Sequence, residues 1–233
     1  MAKPLRATIT AVSLAGLMLP AHAGNEWEPV RQGQGREDIG TWVRSVDGMA
    51  VKAFKGVTEV HQTTLTVLAL LADIPGLSHW VYQCQSSIQP DQYSADHTYA
   101  RFKGIWPASD RDVLFRSTVT QQADGSVLVD SLQVEGYPPQ DGFVRMPYLH
   151  NTFRLVPLKG QWTRVEFETQ VDLGGLVPTW LANAVSTKAP LVTLEGLKAQ
   201  VGQARYQIKS VQDLPAYYHK GKLIDLPAWH LQP

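Results

Sequence analysis

The chain has 233 residues, of which 44% are hydrophobic and 18% are charged, with 21 basic and 21 acidic side chains. This composition is typical of a globular protein, and no linker, repeat or low-complexity run divides the chain, so we predict a single domain. A formal net charge of zero gives no reason to expect nucleic acid or a strongly anionic membrane surface as a partner.

The first 23 residues have the features of a secretory signal peptide. Lys3 and Arg6 precede an apolar stretch over 7–19, and Ala21-His22-Ala23 supplies a small-x-small cleavage pattern. An uncleaved anchor helix is less favoured, because the apolar stretch is too short to span a bilayer comfortably. Cleavage after Ala23 would change the 21 basic and 21 acidic residues to 19 and 21, a net charge of −2. We therefore expect a periplasmic or secreted protein.

Residues 39–60 have the pattern of a β-hairpin. Apolar and polar residues alternate over 39–44 and again over 50–60, which predicts two strands. Asp47-Gly48 lies between them and is a strong signal for the tight turn that joins antiparallel strands. We therefore expect the domain to open with a small meander.

A short helix is predicted next, because residues 63–73 form an apolar run without glycine or proline. Thr63 or Thr64 could cap its first turn through the side-chain hydroxyl. Pro75-Gly76 ends the run. Cys84 follows in a predicted strand; it is the only cysteine, so no disulfide can form within the chain, and we expect a small buried hydrophobic residue.

From residue 81 to residue 172 the sequence alternates between strand-like runs and turn residues, a pattern typical of an antiparallel sheet. Residues 136–142 are rich in proline and glycine and predict a loop. The predicted strands cover 81–84, 93–102, 111–121, 127–134, 143–156 and 162–171.

The stretch 174–201 predicts the long helix around which the domain is organised. Two glycines allow a sharp turn, Pro178 suits a first helical turn, and apolar residues recur behind it at helical spacing. Pro190 lies inside the pattern and predicts a kink or short break near 188–189. Beyond Ser210 the prolines predict an extended tail.

A long amphipathic helix after a run of strands predicts an α+β domain in which the helix lies across a curved sheet and encloses a cavity. Side chains alternate between the faces of a strand, so apolar positions identify the inner face. That face should carry Val165, Phe167, Thr169 and Val171 in one strand and Val113, Phe115, Ser117 and Val119 in another, with Arg111 at its rim.

Several short motifs, in this order, resemble those of the START family of lipid-binding and lipid-transfer domains. Each is weak alone, whereas their order and spacing over nearly the whole mature chain are fairly specific. They are Asp47-Gly48, Phe54-Lys55-Gly56-Val57, Leu71-Ala72-Asp73, Trp80, Trp106-Pro107-Ala108-Ser109-Asp110-Arg111-Asp112, Gly142-Phe143-Val144-Arg145, and Asp172-Leu173-Gly174-Gly175-Leu176-Val177-Pro178 with Trp180 and Asn183.

The resemblance implies a helix-grip fold, as in START and Bet v 1-like proteins, with a curved antiparallel sheet wrapped around a long C-terminal helix and a lipid-sized tunnel between them. It divides the chain into a signal peptide (1–23), a START-like domain (24–209) and a tail (210–233). It also implies non-catalytic binding of a lipid or other hydrophobic small molecule. We expect no cofactor, no metal and no nucleic acid, a monomer, and transient contact with membranes.

One departure bears on the ligand. Relatives that transfer phosphatidylcholine carry an arginine shortly before the tryptophan that Trp80 matches, whereas residues 76–79 here are Gly, Leu, Ser and His. This argues against phosphatidylcholine, while a sterol or another molecule with few polar groups remains compatible. The residues expected to line the tunnel are Trp80, Arg111, Val113, Phe115, Arg145, Val165, Phe167, Thr169, Trp180, Leu181 and Val185.

Structural alternatives exist for the two arginines in this set. A structural ion pair with the flanking aspartates is the favoured alternative for Arg111, and a surface charge for Arg145. For ligand exchange, we expect the helix from Pro178 and the loop 136–142 to shift and admit the ligand.

An enzyme acting on an apolar molecule in the same cavity, as in cyclase-like helix-grip relatives, is the alternative function. It requires a titratable pair inside the tunnel, and the only candidates are Arg111, Asp110, His79 and Tyr99. The histidines lack the spacing of a metal site, and no nucleophile elbow is present. A third possibility is a protein whose tail, 217–230, docks on a partner.

Overall fold

The computed structural model describes residues 26–219 and 224–231, so the predicted signal peptide lies outside the described residues. These residues form an α+β domain in which ten strands build one sheet. The strands are β1 (Glu28–Arg31), β2 (Gly40–Arg44), β3 (Ala53–Val60), β4 (Cys84–Ile88), β5 (His97–Phe102), β6 (Asp110–Gln121), β7 (Val127–Gln133), β8 (Phe143–Arg145), β9 (Tyr148–Leu158) and β10 (Trp162–Asp172). The helices are α1 (Thr64–Ala72), α2 (Thr179–Val201), α3 (Ala216–His219) and α4 (Ala228–Leu231).

The main path of the sheet is antiparallel throughout and runs β1-β2-β3-β10-β9-β7-β6-β5-β4. Pairing of β3 with β10 places an early strand beside the last one, and α2 then packs back against β2, β3 and β10. The predicted architecture, an antiparallel sheet gripping a long C-terminal helix, is confirmed.

One strand pair departs from the antiparallel pattern. Residues 143–156 are predicted as a single strand, whereas β8 ends at Arg145 and β9 begins at Tyr148. Pro147 lies in the break, where its missing N–H cannot join a ladder of hydrogen bonds. The separated β8 pairs in parallel with the start of β6, with Val144 opposite Arg111.

Two strands begin later than predicted. β4 starts at Cys84 instead of residue 81, because residues 81–83 form a turn in which Gln83 adopts a left-handed φ of 57°. β5 starts at His97 instead of residue 93, after a turn in which the His97 N–H donates to the Ser94 carbonyl at 2.9 Å. In contrast, α1 starts as expected: the Thr63 hydroxyl accepts from the Thr66 N–H at 3.2 Å.

Helix α2 continues through Pro190 without the predicted break. Its packing explains this, because two glycines let the helix approach its neighbours closely. A Cβ on Gly196 would lie 2.5 Å from the Trp80 carbonyl oxygen, and one on Gly56 of β3 would lie 2.6 Å from Leu194 and 3.3 Å from Pro190. These contacts hold Pro190 and the helical turns after it against the domain and offset the hydrogen bond that proline cannot donate.

The segment after Ser210 is predicted to be extended, and the structure differs. It forms a 3-10 helix over Val211–Asp213 and the short helices α3 and α4, and α3 packs against β6. The physical reason is its apolar content, which gains more by burial than by exposure. Its buried side chains are Leu214, Tyr218, Ile224, Leu226 and His230.

Strand alternation predicts the inner face of β10 correctly, since Val165, Phe167, Thr169 and Val171 are all buried. β6 is less simple. Its predicted inner face is buried, but Asp112 and Leu114 on the opposite face are also buried, and the Asp112 carboxylate is held there by Arg145 of β8. Arg111 is only 6% exposed, so it lies inside the domain and not at a rim.

Candidate ligand-binding cavity

A cavity of about 190 Å³ lies between the inner face of the sheet, the turn after α1 and helix α2. The sheet contributes one wall through β6, β7, β9 and β10, and α2 contributes Leu181, Val185 and Ala189 on the other side. Most lining side chains are aliphatic or aromatic. Such a space suits an apolar molecule with few polar groups.

The sheet wall is layered, because residues directly opposite on neighbouring strands form rows across it. One row contains the aromatic pair Phe153 and Phe167, stacked with centroids 4.6 Å apart, and Trp80 meets Phe153 edge-on at 5.9 Å. Val129 is the partner of Phe153 on β7. A second apolar row contains the register partners Leu149 and Val171.

Between these apolar rows runs one polar row. We call it the polar row and define it as Ser117, Ser131, Asn151 and Thr169, one residue each from β6, β7, β9 and β10, all lining the cavity. The Thr169 hydroxyl donates to Asn151 Oδ1 at 2.6 Å, and the two serine hydroxyls lie 2.8 Å apart.

The charged side chains of the lining are Lys103 and Arg111, and the described lining contains no carboxylate and no histidine. The Arg111 guanidinium donates to the carbonyls of Leu173 at 3.2 Å and Gly174 at 3.3 Å, and also to that of Ser109. Burial lowers the pKa of Arg111, and Asp110 opposes this. Arg111 thus ties the loop before β6 to the loop after β10.

Arg145 belongs to a network on the other side of β6. It grips the Asp112 carboxylate with two hydrogen bonds, 2.8 and 2.9 Å, and the Tyr99 hydroxyl donates to the same carboxylate at 2.7 Å. Arg145 also donates to the carbonyls of Tyr137 and Pro138. The loop 136–142 is therefore fastened to the back of the sheet, and none of its residues lines the cavity. Movement of this loop to admit a ligand stays a prediction.

The candidates for acid–base chemistry do not form a pair inside the cavity. Tyr99 lies in the network behind β6, where burial raises its pKa to about 12. His79 is exposed, and Asp110 accepts from the Gly104 N–H at 2.8 Å and the Gln85 amide at 2.7 Å, as a structural carboxylate does.

The structure brings seven of the eleven predicted tunnel residues together in the lining. The other four lie elsewhere: Val113 and Val165 are packed in the core, Arg145 is held by Asp112, and Trp180 points to the surface. The seven in the lining are Trp80, Arg111, Phe115, Phe167, Thr169, Leu181 and Val185. Contact with a ligand remains a prediction for each.

Sequence reasoning missed several lining residues. Asn151 is a polar residue on the face that Leu149, Phe153 and Leu155 mark as apolar by strand alternation, and this is the signal that could have found it. Tyr217 and Tyr218 lie in the tail for which the sequence predicts an extended conformation, and they also line the cavity. Cys84 also reaches the cavity, and burial raises the pKa of its thiol to about 11, so it stays protonated at neutral pH.

Three large apolar side chains are exposed on segments that also contribute residues to the cavity lining. Trp106 is 86% exposed, Leu176 is 97% exposed and Trp180 is 53% exposed. Their neighbours Ile105, Leu173 and Leu181 line the cavity, and Arg111 ties the two loops together. We call loops 103–109 and 173–178 the cavity mouth. Within the described residues, no helix is both long enough and apolar enough to cross a membrane.

Comparison with known proteins agrees with this geometry. A family model described as START domain matches residues 16–205. An uncharacterized protein of Pseudomonas aeruginosa is 33% identical over 198 residues, which cover 84% of this chain and 96% of that protein. A STAR-related lipid transfer protein fragment from Xanthomonas axonopodis is similar in structure, with a TM-score of 0.67 and 26% identity over 76% of this chain and 99% of the fragment. Human STARD10 shares the fold, with a TM-score of 0.66 and 18% identity over 83% of this chain and 80% of that chain.

Proposed function

The chain belongs to the START domain family, and on that premise we propose that it binds one small apolar ligand in its cavity and carries or senses it outside the cytoplasm, without catalysis. The observation that supports this most is the lining itself: an apolar space of about 190 Å³ in which the described residues place no carboxylate and no histidine. The similarity to a protein named for lipid transfer supports the same proposal.

The chemistry of the lining favours binding over catalysis. Acid–base catalysis needs a group that exchanges protons near neutral pH within reach of the substrate. The lining offers instead the cations Lys103 and Arg111, three tyrosines (Tyr82, Tyr217 and Tyr218) and the Cys84 thiol, whose pKa of about 11 keeps it protonated. None of these forms an acid–base pair.

The size of the cavity limits the ligand. Drug-sized ligand sites usually measure roughly 300–1,000 Å³, whereas this cavity measures about 190 Å³. A slender molecule with a single chain fits this space better than a phospholipid with two chains. Burying a few hundred Å² of apolar surface at roughly 25 cal/mol per Å² provides several kcal/mol of binding before ordering costs.

The direct test is to purify the protein, extract it with organic solvent and identify the extract by mass spectrometry. A reproducible apolar molecule at about one per protein supports the proposal. Protein that is empty and takes up no fatty acid, sterol or long-chain hydrocarbon from solution contradicts it.

Blocking the cavity should abolish binding. We expect Val185→Trp to weaken the uptake of a fluorescent single-chain lipid by at least about 30-fold, because the indole would fill much of the space between α2 and the sheet. Fluorescence titration measures this. Val192→Trp is the matched control, since Val192 lies on the same helix, is exposed and does not line the cavity. Equal binding by the two variants would contradict the assignment of the cavity.

We propose further that the cavity mouth touches a membrane surface during exchange. Exposed apolar side chains cost little when they insert among lipid headgroups, and tryptophan is favoured at that depth. Trp106, Leu176 and Trp180 supply such a group beside the opening, so a ligand could pass between bilayer and cavity with little exposure to water.

The mouth predicts a transfer defect. We expect the double variant Trp106→Ala, Leu176→Ala to transfer ligand between vesicles about 10-fold more slowly, while its affinity for dissolved ligand stays within about twofold. Vesicle-to-vesicle transfer of a fluorescent lipid provides the rate. Trp229→Ala with Leu132→Ala is the matched control, because both side chains are about half exposed and neither lines the cavity. An equal defect in the control would contradict a specific mouth.

A further inference from the structure

The polar row is the unexplained feature of the cavity. Ser117, Ser131, Asn151 and Thr169 are successive register partners on four adjacent strands, so they form a straight line across the wall. Three strand spacings of about 4.8 Å make this line about 14 Å long. Apolar residues flank it along both strand directions, for example Phe153 and Leu149 on either side of Asn151. Polarity is thus confined to one level of the cavity.

The hydrogen bonds within the row leave donors unused. Thr169 donates to Asn151 Oδ1, so the amide group Nδ2 keeps two N–H donors for which the described residues offer no partner. In the serine pair only one hydroxyl hydrogen is needed for the bond between the two oxygens. The row therefore presents N–H and O–H groups to the cavity and carries no charge.

Trp80 is a second, independent observation. Its side chain lines the cavity and is 4% exposed, and its Nε1–H is buried without a hydrogen-bond partner in the described part of the chain. Buried polar groups without partners are uncommon in folded proteins. Trp80 packs edge-on against Phe153, which lies two residues from Asn151 on the same face of β9. Two side chains of the lining, Asn151 and Trp80, thus carry donors without partners in the described part of the chain.

We propose that the ligand carries a neutral oxygen acceptor within its apolar length, such as an internal ketone or ester carbonyl, and that Asn151 and Trp80 receive it. This deepens the proposed function and rests on it. The Asn151 amide N–H and the Trp80 indole N–H can only donate, so the ligand must supply the acceptor for them. It must be neutral, because Arg111 is occupied by three backbone carbonyls and Lys103 belongs to the mouth loop 103–109, not to the polar row. Burying an anion at the polar row without a counter-charge is costly. Apolar residues on both sides of the row place the oxygen inside the ligand and not at its end.

Two probes that differ only in one oxygen test the proposal. Undecan-6-one and undecane have the same length, and their affinities for the purified protein are measured by displacement of a bound fluorescent dye. We expect the ketone to bind at least about 10-fold more tightly. Asn151→Leu should remove most of this preference and leave undecane binding within about twofold, whereas Asn183→Leu, on the exposed face of α2, should retain it.

A second measurement does not depend on any variant. The infrared carbonyl band of undecan-6-one should shift to lower frequency on binding to the unaltered protein, because hydrogen bonds weaken the C=O bond. Equal affinities for ketone and alkane together with an unshifted band would overturn the inference and leave the carrier proposal standing. The inference would also be overturned if dodecanoate bound more tightly than the ketone and Asn151→Leu had no effect, because the polar group of the ligand would then lie at the mouth. Failure of all three probes to bind would count against the proposed function itself.

Discussion

Replacing Arg145 with methionine is expected to lower the free energy of unfolding by about 3–5 kcal/mol, as removal of one partner from a buried ion pair generally does. Asp112 is 1% exposed, and Arg145 supplies two of its hydrogen bonds. Methionine keeps the apolar length of the side chain but leaves the carboxylate buried without a counter-charge. Urea denaturation at neutral pH, followed by circular dichroism, measures the loss.

The pH dependence identifies the cause. Burial alone would raise the pKa of Asp112, but hydrogen bonds from Arg145 and Tyr99 outweigh it, so the pKa lies below its ordinary value. The native protein therefore has this stabilisation in full above the unfolded pKa of about 3.9 and loses it as the pH falls through the lowered pKa. In Arg145→Met, burial is expected to raise the pKa of Asp112, so that protonation of the carboxylate removes the buried charge. The difference in stability between the native protein and the variant should therefore shrink as the pH falls from about 7 to about 5.

Two further variants separate this pair from ordinary surface charges. Arg154→Met breaks ion pairs with Glu166 and Asp124 that remain partly exposed, and it should cost no more than about 1 kcal/mol. Adding Asp112→Asn to Arg145→Met should recover part of the loss, because the neutral amide costs less to bury than the carboxylate. A loss in Arg145→Met that equals the Arg154→Met loss at every pH would contradict the assignment.

The elements that local pattern determines were predictable. The alternation in β10 places Val165, Phe167 and Thr169 on the buried face, and the Thr63 hydroxyl caps α1 where its position before an apolar run indicates. Each of these features depends on residues within one turn or one strand. The placement of a helix across a curved sheet was predictable because a long helix after many strands has few ways to bury its apolar face, and the family resemblance implied the helix-grip fold.

The features that depend on register or on distant residues were not predictable. Asn151 joins Ser131 and Thr169 only through strand pairing, which residue patterns alone do not fix. Arg145 meets Asp112 across 33 residues, because a proline break turns β8 against β6. Without that pairing, Arg145 looks like a surface charge, the alternative that its sequence context favours.

Substituting His230 with alanine is the second change with a large expected effect, about 2–4 kcal/mol of unfolding free energy at pH 7.5. His230 is fully buried and joins the tail to the domain. Its Nε2 accepts from the Thr64 N–H at 2.7 Å, and its Nδ1 donates to the Leu158 carbonyl at 2.9 Å. Alanine leaves both backbone groups without partners and a cavity behind them.

The same geometry sets a pH dependence. Burial lowers the pKa of His230, and the hydrogen bond to the Leu158 carbonyl opposes this change. In addition, a protonated Nε2 could no longer accept from the Thr64 N–H. As the pH falls, the unfolded chain therefore takes up a proton on His230 near pH 6.5, before the folded chain does. The stabilisation from His230 is complete above that pH and is lost as the pH falls through the lower folded pKa. Urea denaturation at pH 7.5 and pH 5.5 should show a steeper loss for the native protein than for His230→Ala, while the exposed His79→Ala should behave like the native protein. If His230→Ala keeps the full pH slope, this histidine is not the group that titrates on unfolding.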